Sequence, residues 1–289
     1  MGSRVLIAAR PFRRWRSISL PPVWRYGWAC RLGTCRASFP ISATSPRRRS
    51  RICCSEATGL TESGPYNGGW LLVDWCPVAE FEILRAPLIA ALAEMSLVAS
   101  SDQIERWLDY LRLLGQWNQR FNLTAIRQPQ AMLTRHLLDS LSMAAHWVES
   151  ELADIGSGAG FPGIPLAILQ PQRSVILLES NGKKAGFLHE VQRCLELQNV
   201  TVEQQRAEAY RPDQPITLAT ARAVAPLREL GRCCRPWLAA GGRLLAMKGP
   251  GYAAELKQLP KGFDLHSVQP LQVPGLDGER VLVILQKQD

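Results

Sequence analysis

The chain has 289 residues, of which 46% are hydrophobic and 20% are charged, a balance typical of soluble globular proteins. This length accommodates one large domain or two modest ones, and no apolar run approaches the ~18 residues that a membrane-spanning helix needs. The formal net charge is +9, and residues 1–84 contribute +7 of it through 12 arginines and 5 acidic residues. Overall charge therefore says little about nucleic-acid binding by the rest of the chain, which would have to use a local patch.

The eight cysteines are not spaced as metal ligands. No pair has the C-x-x-C spacing of zinc sites and redox motifs, and two pairs are adjacent, Cys53–Cys54 and Cys233–Cys234. We therefore expect reduced thiols in a cytoplasmic protein, and no metal site.

Residues 1–84 differ in composition from the rest of the chain. They have no acidic residue before Glu56, arginine but no lysine, and five of the nine tryptophans without a regular period. Three interpretations stay open: a dispensable extension translated from too early a start, an RNA-binding arm, or a transit peptide that would place the protein in a plastid. We favour the first and expect no ordered core in this segment.

Residues 85–150 have the pattern of a helical N-terminal cap. Apolar spacing around Leu88 and Leu92 indicates a short helix, and a longer amphipathic helix is predicted to begin with Ser101 as its N-cap. A further helix is predicted over residues 129–147.

In residues 151–289, strand and helix patterns alternate. Such alternation predicts an α/β fold with a Rossmann-like, doubly wound sheet of seven strands. Between the last two strands there is only Pro274-Gly275-Leu276-Asp277-Gly278, which is too short for a crossover helix and makes the last strand antiparallel. The strands are predicted at 152–155, 175–179, 200–203, 216–221, 242–247, 263–273 and 280–286, and the helices at 163–170, 183–197, 226–239 and 252–258.

A glycine-rich loop, Asp154-Ile155-Gly156-Ser157-Gly158-Ala159-Gly160, follows the first predicted strand. Closely spaced glycines let a ligand approach the backbone, and ligands of open α/β sheets bind at this edge. Two patterns fit: Gly158-x-Gly160-x-x-Gly163 matches the dinucleotide fingerprint, and the glycines after Asp154 match the loop of methyltransferases that use S-adenosylmethionine. The loop alone does not decide between them.

The acidic residue Glu179 ends the second predicted strand. A carboxylate there accepts hydrogen bonds from ribose hydroxyls, which NAD and S-adenosylmethionine both carry. The other interpretation is a surface ion pair with Lys183 or Lys184. The antiparallel last strand favours S-adenosylmethionine, because class I methyltransferases end their sheet in this way whereas nicotinamide-binding sheets usually continue in parallel.

Several separate stretches share their order and spacing with one protein family. They are Trp117-Asn118-x-x-Phe121-Asn122-Leu123-Thr124, Arg135-His136-Leu137-Leu138-Asp139-Ser140, Asp154 to Pro165, Leu177-Leu178-Glu179-Ser180, Arg222-Ala223, Lys248-Gly249 and Leu276-Asp277-Gly278-Glu279-Arg280. In these stretches the chain resembles the RsmG (GidB) family, class I methyltransferases that modify N7 of a guanine in bacterial 16S ribosomal RNA. The resemblance covers residues 85–289, and nothing in the family pattern corresponds to residues 1–84.

The resemblance implies S-adenosyl-L-methionine as cofactor and 16S ribosomal RNA or the small ribosomal subunit as partner. It implies that Gly156 and Phe161 line the cofactor pocket, that Ala207 and Glu208 flank the adenine, and that Arg222 faces the methyl-transfer site. The loop and strand patterns complete the expected cofactor site with Asp154, Gly158, Gly160 and Glu179. Glu179 departs mildly from the family, whose other members carry Asp at this position.

This chemistry needs few catalytic groups. The cofactor carries its methyl on a sulfonium, and guanine N7 has a free lone pair and no proton to lose, so no general base is expected. Catalysis then depends on holding an unstacked base in line with the methyl. We expect Arg222 and Lys248 at this site.

Four polar residues of the cap are candidates for RNA contact: Asn118, Asn122, Arg135 and His136. Asparagine reads base edges, and arginine pairs with phosphate. Structural interpretations stay open beside these: Asn122 as a cap of the turn before Thr124, His136 and Asp139 as a hydrogen-bonded pair, and Arg222 as a buttress for Glu179 or Glu208.

Three other functions compete with this one: a class I methyltransferase with a different acceptor, a nicotinamide-dependent oxidoreductase, and a non-catalytic RNA-binding protein that uses the basic arm. The cap stretches and Arg222 argue against a different acceptor. An oxidoreductase would bind NADH, whereas a methyltransferase would bind S-adenosylmethionine. A non-catalytic RNA-binding protein would bind RNA even with its glycine loop destroyed. We expect a monomer that contacts no membrane.

Overall fold

The structure is a computed structural model that describes residues 78–289, so the interpretations of residues 1–77 lie outside the described residues. The described part opens with helices α1 Val78–Glu82 and α2 Arg85–Glu94. Phe81 and Leu84 are buried in the core. The ordered core therefore begins before the boundary expected at residue 84.

The long helix of the cap is α3 Ser101–Phe121. Its N-cap is Ser100, whose Oγ accepts a hydrogen bond from the Gln103 amide at 3.2 Å, while Gln103 Oε1 accepts one from the Ser100 amide at 2.8 Å. This reciprocal pair is a capping box. The prediction of Ser101 as N-cap is wrong by one residue, because Ser101 is already the first residue of the helix.

The helix predicted over 129–147 is a succession of shorter segments. They are α4 Pro129–Met132, the π-helix Leu133–Leu138, α5 Asp139–Leu141 and a 3₁₀ turn Ala144–His146. A π-helix is rare and frequently lies at a functional site. This one carries Arg135 and His136.

In the described part of the chain, seven strands form one sheet in the order β3-β2-β1-β4-β5-β7-β6. They are β1 Glu151–Ile155, β2 Ser174–Leu178, β3 Val200–Glu203, β4 Ile216–Arg222, β5 Leu238–Lys248, β6 Phe263–Pro270 and β7 Val281–Lys287. β7 runs antiparallel to both β5 and β6, and the pairs among β1 to β5 are parallel. This confirms the predicted class I methyltransferase sheet, whose strand order reverses between β1 and β4 and opens a crevice there.

The helices that connect the strands are α6 Gly163–Leu169, α7 Gly182–Cys194, α8 Leu227–Cys234 and α9 Tyr252–Leu256. The helix predicted to continue to residue 239 is wrong at that end, because β5 already begins at Leu238. There the Ile216 amide donates a hydrogen bond to the Trp237 carbonyl at 3.0 Å.

The cap and one face of the sheet share an apolar core. Trp107 and Leu111 of α3 belong to the same buried cluster as Leu177 of β2 and Leu188 of α7. The other face packs against α8 through Leu230 and its neighbours. The cap is therefore a layer on the sheet, held against the carboxyl end of β1.

Candidate active site

The glycine loop after β1 has a left-handed backbone at three positions, with φ of +62° at Gly156, +61° at Gly158 and +97° at Gly160. A Cβ on Gly156 would lie 2.9 Å from Val224 Cγ1, and one on Gly160 would lie 2.6 Å from Ile164 Cγ1. At Gly158 the nearest atom would be a backbone oxygen 3.8 Å away. Gly156 and Gly160 are thus required by packing, whereas Gly158 leaves its backbone open to a ligand.

Helix α3 holds this loop from the cap side. The buried Tyr110 hydroxyl donates to the Ala159 carbonyl at 2.6 Å, and the Trp107 indole donates to the Pro165 carbonyl at 3.2 Å. The Tyr110 ring also packs on Phe161, with centroids 5.3 Å apart. Sequence reasoning gave Tyr110 no role as a support of the loop. The signal was a hydroxyl at a buried position, which needs a hydrogen-bond partner.

Asp154 lies fully buried beneath the loop. Its Oδ2 accepts a hydrogen bond from the Gly163 amide at 3.0 Å, and Oδ1 has no partner among the described residues. Burial raises the pKa of Asp154 to about 7, and the Gly163 amide and Arg222 oppose that rise. In this position Asp154 fixes the start of α6 to the end of β1.

Glu179, directly after β2, faces the glycine loop. Its Oε2 accepts from the Gly158 amide at 2.8 Å, and its Oε1 accepts from the Asn181 amide at 2.7 Å. The carboxylate therefore faces backbone amides rather than Lys183 or Lys184. Each oxygen keeps a further lone pair with which it can accept a ligand hydroxyl.

Ala207 and Glu208 follow β3 on the side of the sheet that α8 covers. Ala207 is buried, and its carbonyl accepts a hydrogen bond from the Trp237 indole at 2.8 Å. Glu208 is exposed. Two hydrogen bonds to the Glu208 carboxylate lower its pKa: the larger effect comes from the Glu208 backbone amide and the smaller from Cys233. No hydrogen bond within residues 78–289 joins these two residues to the glycine loop.

Arg222 ends β4 at the crevice. Its Nη1 donates to Asp139 Oδ2 and to the Arg135 carbonyl, both at 2.9 Å. Its Nη2 donates to His136 Nδ1 at 3.2 Å, and the guanidinium lies 4.9 Å from the ring centroid of Phe161. Arg222 thus connects the sheet with the cap and pairs with Asp139 instead of Glu179 or Glu208.

His136 belongs to the same cluster. Its ring stacks on Phe161 with centroids 4.6 Å apart, and its Nε2 lies 2.8 Å from Thr124 Oγ1. Burial, and then the charge of Arg222, lower the pKa of His136 to about 4, so the ring is neutral at pH 7. Because Arg222 can only donate, Nδ1 accepts and the proton lies on Nε2, which donates to Thr124.

Asp139 and Arg280 lie at the site, although sequence reasoning gave Arg280 no role and expected Asp139 only to pair with His136. Asp139 is buried, and besides Arg222 it binds Arg280, whose Nε donates to Oδ1 at 3.3 Å. In place of the expected hydrogen bond between His136 and Asp139, each of the two accepts one from Arg222. The available signal was the presence of both residues in the stretches that carry the family resemblance.

Two of the four candidate RNA contacts present their side chains to solvent. Asn122 ends α3 with a φ of +46° and accepts from Arg127 at 2.7 Å, and Arg135 is exposed on the π-helix. Asn118 is 1% exposed, and its amide bonds the Thr124 amide at 2.9 Å and the Ile126 carbonyl at 3.3 Å. Asn118 therefore closes the loop after α3 and has no surface to offer to RNA, and both ring nitrogens of His136 are likewise engaged.

Lys248, the last residue of β5, is held by an ion pair. Its Nζ donates to Glu255 Oε2 and to the Ala225 carbonyl, each at 2.8 Å. Glu255 also accepts from the Leu227 amide at 2.7 Å. In this arrangement Lys248 fixes the loop between β4 and α8, from which Val224 packs over Gly156.

Within residues 78–289, no group of three or more histidine, cysteine, aspartate or glutamate side chains is arranged to hold a metal ion. None of the helices in that range is long and apolar enough to cross a membrane.

Comparison with known proteins gives close relatives. The model of a family named rRNA small subunit methyltransferase G (GidB) matches residues 103–283. Ribosomal RNA small subunit methyltransferase G of Xanthomonas oryzae pv. oryzae is 48% identical over 209 residues, which are 70% of this chain and 97% of that protein. The protein of that name from Marinobacter nauticus is 44% identical over 198 residues, 68% of this chain and 92% of that protein.

Solved structures match over a smaller share of the chain. The match to the structure of TrmN from Thermus thermophilus covers 51% of this chain and 47% of the TrmN chain, with 21% identity and a TM-score of 0.40.

Proposed function

The chain belongs to the rRNA small subunit methyltransferase G family, and on this premise we propose that it transfers a methyl group from S-adenosyl-L-methionine to N7 of a guanine in 16S ribosomal RNA. The observation that carries the proposal is the meeting of Arg222 and Phe161 beside the glycine loop, at the carboxyl edge of the sheet. The relatives are named for small-subunit RNA, which supports RNA over another acceptor. Nicotinamide chemistry has no support in the family.

The residues present fit the proposed cofactor. The open backbone at Gly158 gives close access to a ligand, and Glu179 keeps free lone pairs for ribose hydroxyls. Bound S-adenosyl-L-methionine supplies a methyl group on a sulfonium as electrophile. Gly156, Gly160 and Asp154 fix the shape of the loop.

The chain's own residues position the reactants and exchange no proton. His136 is neutral, and both its ring nitrogens are bonded, so it is no general base. Arg222 presents hydrogen-bond donors at the site, and Asp139 is its carboxylate partner. Arg135 and Asn122 are exposed on the cap, where they can contact the RNA strand. Lys248 acts by holding the loop that carries Val224.

We propose further that the protein acts in the cytoplasm as a monomer without a metal ion. One chain supplies all the site residues named here, and methyl transfer to N7 needs neither a metal-bound water nor a general base. Activity unchanged by EDTA and a monomeric mass in solution support this.

The function is tested by methyl transfer from labelled cofactor to small-subunit RNA isolated without this modification, with the product identified by mass spectrometry. We expect one labelled 7-methylguanine in the small-subunit RNA and none in transfer RNA or ribosomal protein. Label on another acceptor, or a protein that binds NADH and not S-adenosyl-L-methionine, would refute the proposal.

The cofactor site is tested separately by Gly158→Ala. The added methyl occupies the open space at the backbone, so we expect the affinity for S-adenosyl-L-methionine in calorimetry to fall at least tenfold. Gly241→Ala is the matched control, since Gly241 has a similar φ of +69° in β5 outside the glycine loop. Equal affinity of the two variants would show that the loop is not the cofactor site.

A further inference from the structure

We infer that Asp139 is a positioning residue for methyl transfer. Its carboxylate holds Arg222 over the ring of Phe161 and also pairs with Arg280. The carboxylate is buried, and each of its oxygens accepts from one arginine, Arg222 at 2.9 Å and Arg280 at 3.3 Å. The inference rests on the proposed function, because the step that Arg222 serves is the methyl transfer.

Asp139 is the charged partner of Arg222. The other acceptors of its guanidinium are the Arg135 carbonyl and the neutral ring of His136. A hydrogen bond between two ionised groups is roughly twice as strong as one between neutral groups, so the carboxylate fixes the guanidinium most firmly. Without it, the half-buried Arg222 would turn toward water and leave the ring of Phe161.

The carboxylate also sets the charge of the site. Methyl transfer moves one positive charge from the sulfonium of the cofactor to the guanine. An unpaired guanidinium on the guanine side would oppose this transfer by repulsion. Asp139 lowers that repulsion, because with Arg280 the three side chains carry a net charge of +1 instead of +2, and it leaves the hydrogen-bond donors of Arg222 in place.

Arg280 extends the arrangement to the loop between β6 and β7. It directly precedes β7, and its side chain lines a cleft of about 620 Å³ between this loop and the cap. One carboxylate thus ties together the end of β4, the cap and the β6–β7 loop. Arg222 can hold its position only while all three elements keep theirs.

The test compares Asp139→Asn with Glu149→Gln. Glu149 pairs with Arg243 at 2.6 Å, with side chains 19% and 22% exposed, and Arg243 lies in the first half of β5 away from the crevice. We expect Asp139→Asn to lower kcat at least tenfold while KM for RNA and Kd for cofactor change less than threefold. Glu149→Gln should leave kcat within twofold. A kcat for Asp139→Asn within threefold of the unaltered protein, or equal losses in both variants, would overturn the inference.

A double-mutant cycle separates positioning from a general effect on the fold. If Asp139 acts through Arg222, Asp139→Asn should lower kcat no further in an Arg222→Gln background, in which the charged partner is absent. Additive losses would contradict the inference. If Asp139→Asn does not fold, Asp139→Glu decides: an unchanged Tm with kcat lowered at least threefold supports the inference, and unchanged kcat overturns it.

Nuclear magnetic resonance of the arginine side chains gives a readout that does not depend on activity. In the unaltered protein the Nη protons of Arg222 should give separate signals, because its guanidinium is held. In Asp139→Asn these signals should merge through free rotation, whereas Glu149→Gln should retain them. Failure of the unaltered protein to methylate RNA would refute the proposed function. Separate Arg222 signals in Asp139→Asn would refute the positioning role, whatever the outcome of the methylation test.

Discussion

At the scale of single residues, the site is built from polar groups whose partners are fixed before any ligand arrives. Glu179 is bonded to the Gly158 amide and Arg222 to Asp139. Such preorganisation is the main contribution that a protein can make when the cofactor carries the reactive group.

Glu179→Gln tests the acid after β2. Glutamine replaces one acceptor oxygen with a donor, so it loses a charge-assisted contact worth about 1.5–3 kcal/mol. We expect the affinity for S-adenosyl-L-methionine in calorimetry to fall at least tenfold. Glu203→Gln is the control, since Glu203 ends the neighbouring β3. Within residues 78–289, its side chain accepts a hydrogen bond only from Gln205. A loss smaller than twofold in Glu179→Gln would remove Glu179 from the cofactor site.

His136 gives stability a pH dependence of known sign. Its pKa is about 4 in the folded protein, against an ordinary 6.5. Between these values the unfolded chain binds a proton that the folded protein does not, so the free energy of unfolding falls as the pH falls below 6.5. From pH 7 to pH 5 this amounts to about 2 kcal/mol.

Urea unfolding of His136→Gln checks this assignment. The variant should lose about 2 kcal/mol less than the unaltered protein between the two pH values. Asp154 titrates in both proteins, so its contribution cancels in the difference. Parallel losses would mean that His136 is protonated in the folded state at pH 5.

At the scale of elements, the cap supports the cofactor loop through α3. Trp107 and Tyr110 bond the carbonyls of Pro165 and Ala159, so the start and direction of this helix matter to the site. The π-helix similarly directs the Arg135 carbonyl and the His136 ring toward Arg222.

Ser100→Ala tests the start of α3. Loss of the capping box should lower the free energy of unfolding by about 1 kcal/mol in urea titrations. Ser101→Ala removes the adjacent hydroxyl and should change stability by less than half as much. The reverse order of the two variants would place the N-cap at Ser101.

At the scale of the whole molecule, the described residues supply a complete core from Phe81 onward. The sheet is covered by the cap on one face and by α8 on the other. The hydrogen bonds named here for the site all join residues within 78–289.

A chain that begins at residue 78 tests the role of the preceding segment. We expect it to fold, to bind cofactor and to methylate RNA at a similar rate. A tenfold rise in the RNA concentration for half-maximal rate, with a shallower dependence of RNA binding on salt, would instead identify residues 1–77 as an RNA-binding arm. A chain that begins at residue 86 is the control. It lacks Phe81 and Leu84 and should lose about 3 kcal/mol or more in unfolding free energy.

The sequence by itself determined the doubly wound sheet with its antiparallel last strand, the glycine loop and the acidic residue after β2. These features are local: apolar periodicity follows from which residues face the core, and the loop glycines follow from backbone geometry at one turn. Family membership was equally readable, because it depends on the order of short stretches along the chain. The helix predicted over residues 129–147 is divided into shorter segments, and the ends of other elements were misplaced, as at Ser101 and residue 239, where neighbouring residues have nearly equal propensities.

Only the tertiary structure decided the partners of the polar residues. Asp139 and Arg280 are 141 positions apart in sequence, and Arg222 and Asp139 are 83 apart. No local pattern predicts such a pairing, because it depends on how the cap packs on the sheet. Asn118 instead bonds within the loop that follows α3, and Lys248 pairs with Glu255 of the adjacent α9. Side chains that sequence chemistry favours as ligand contacts thus serve to hold the site's backbone.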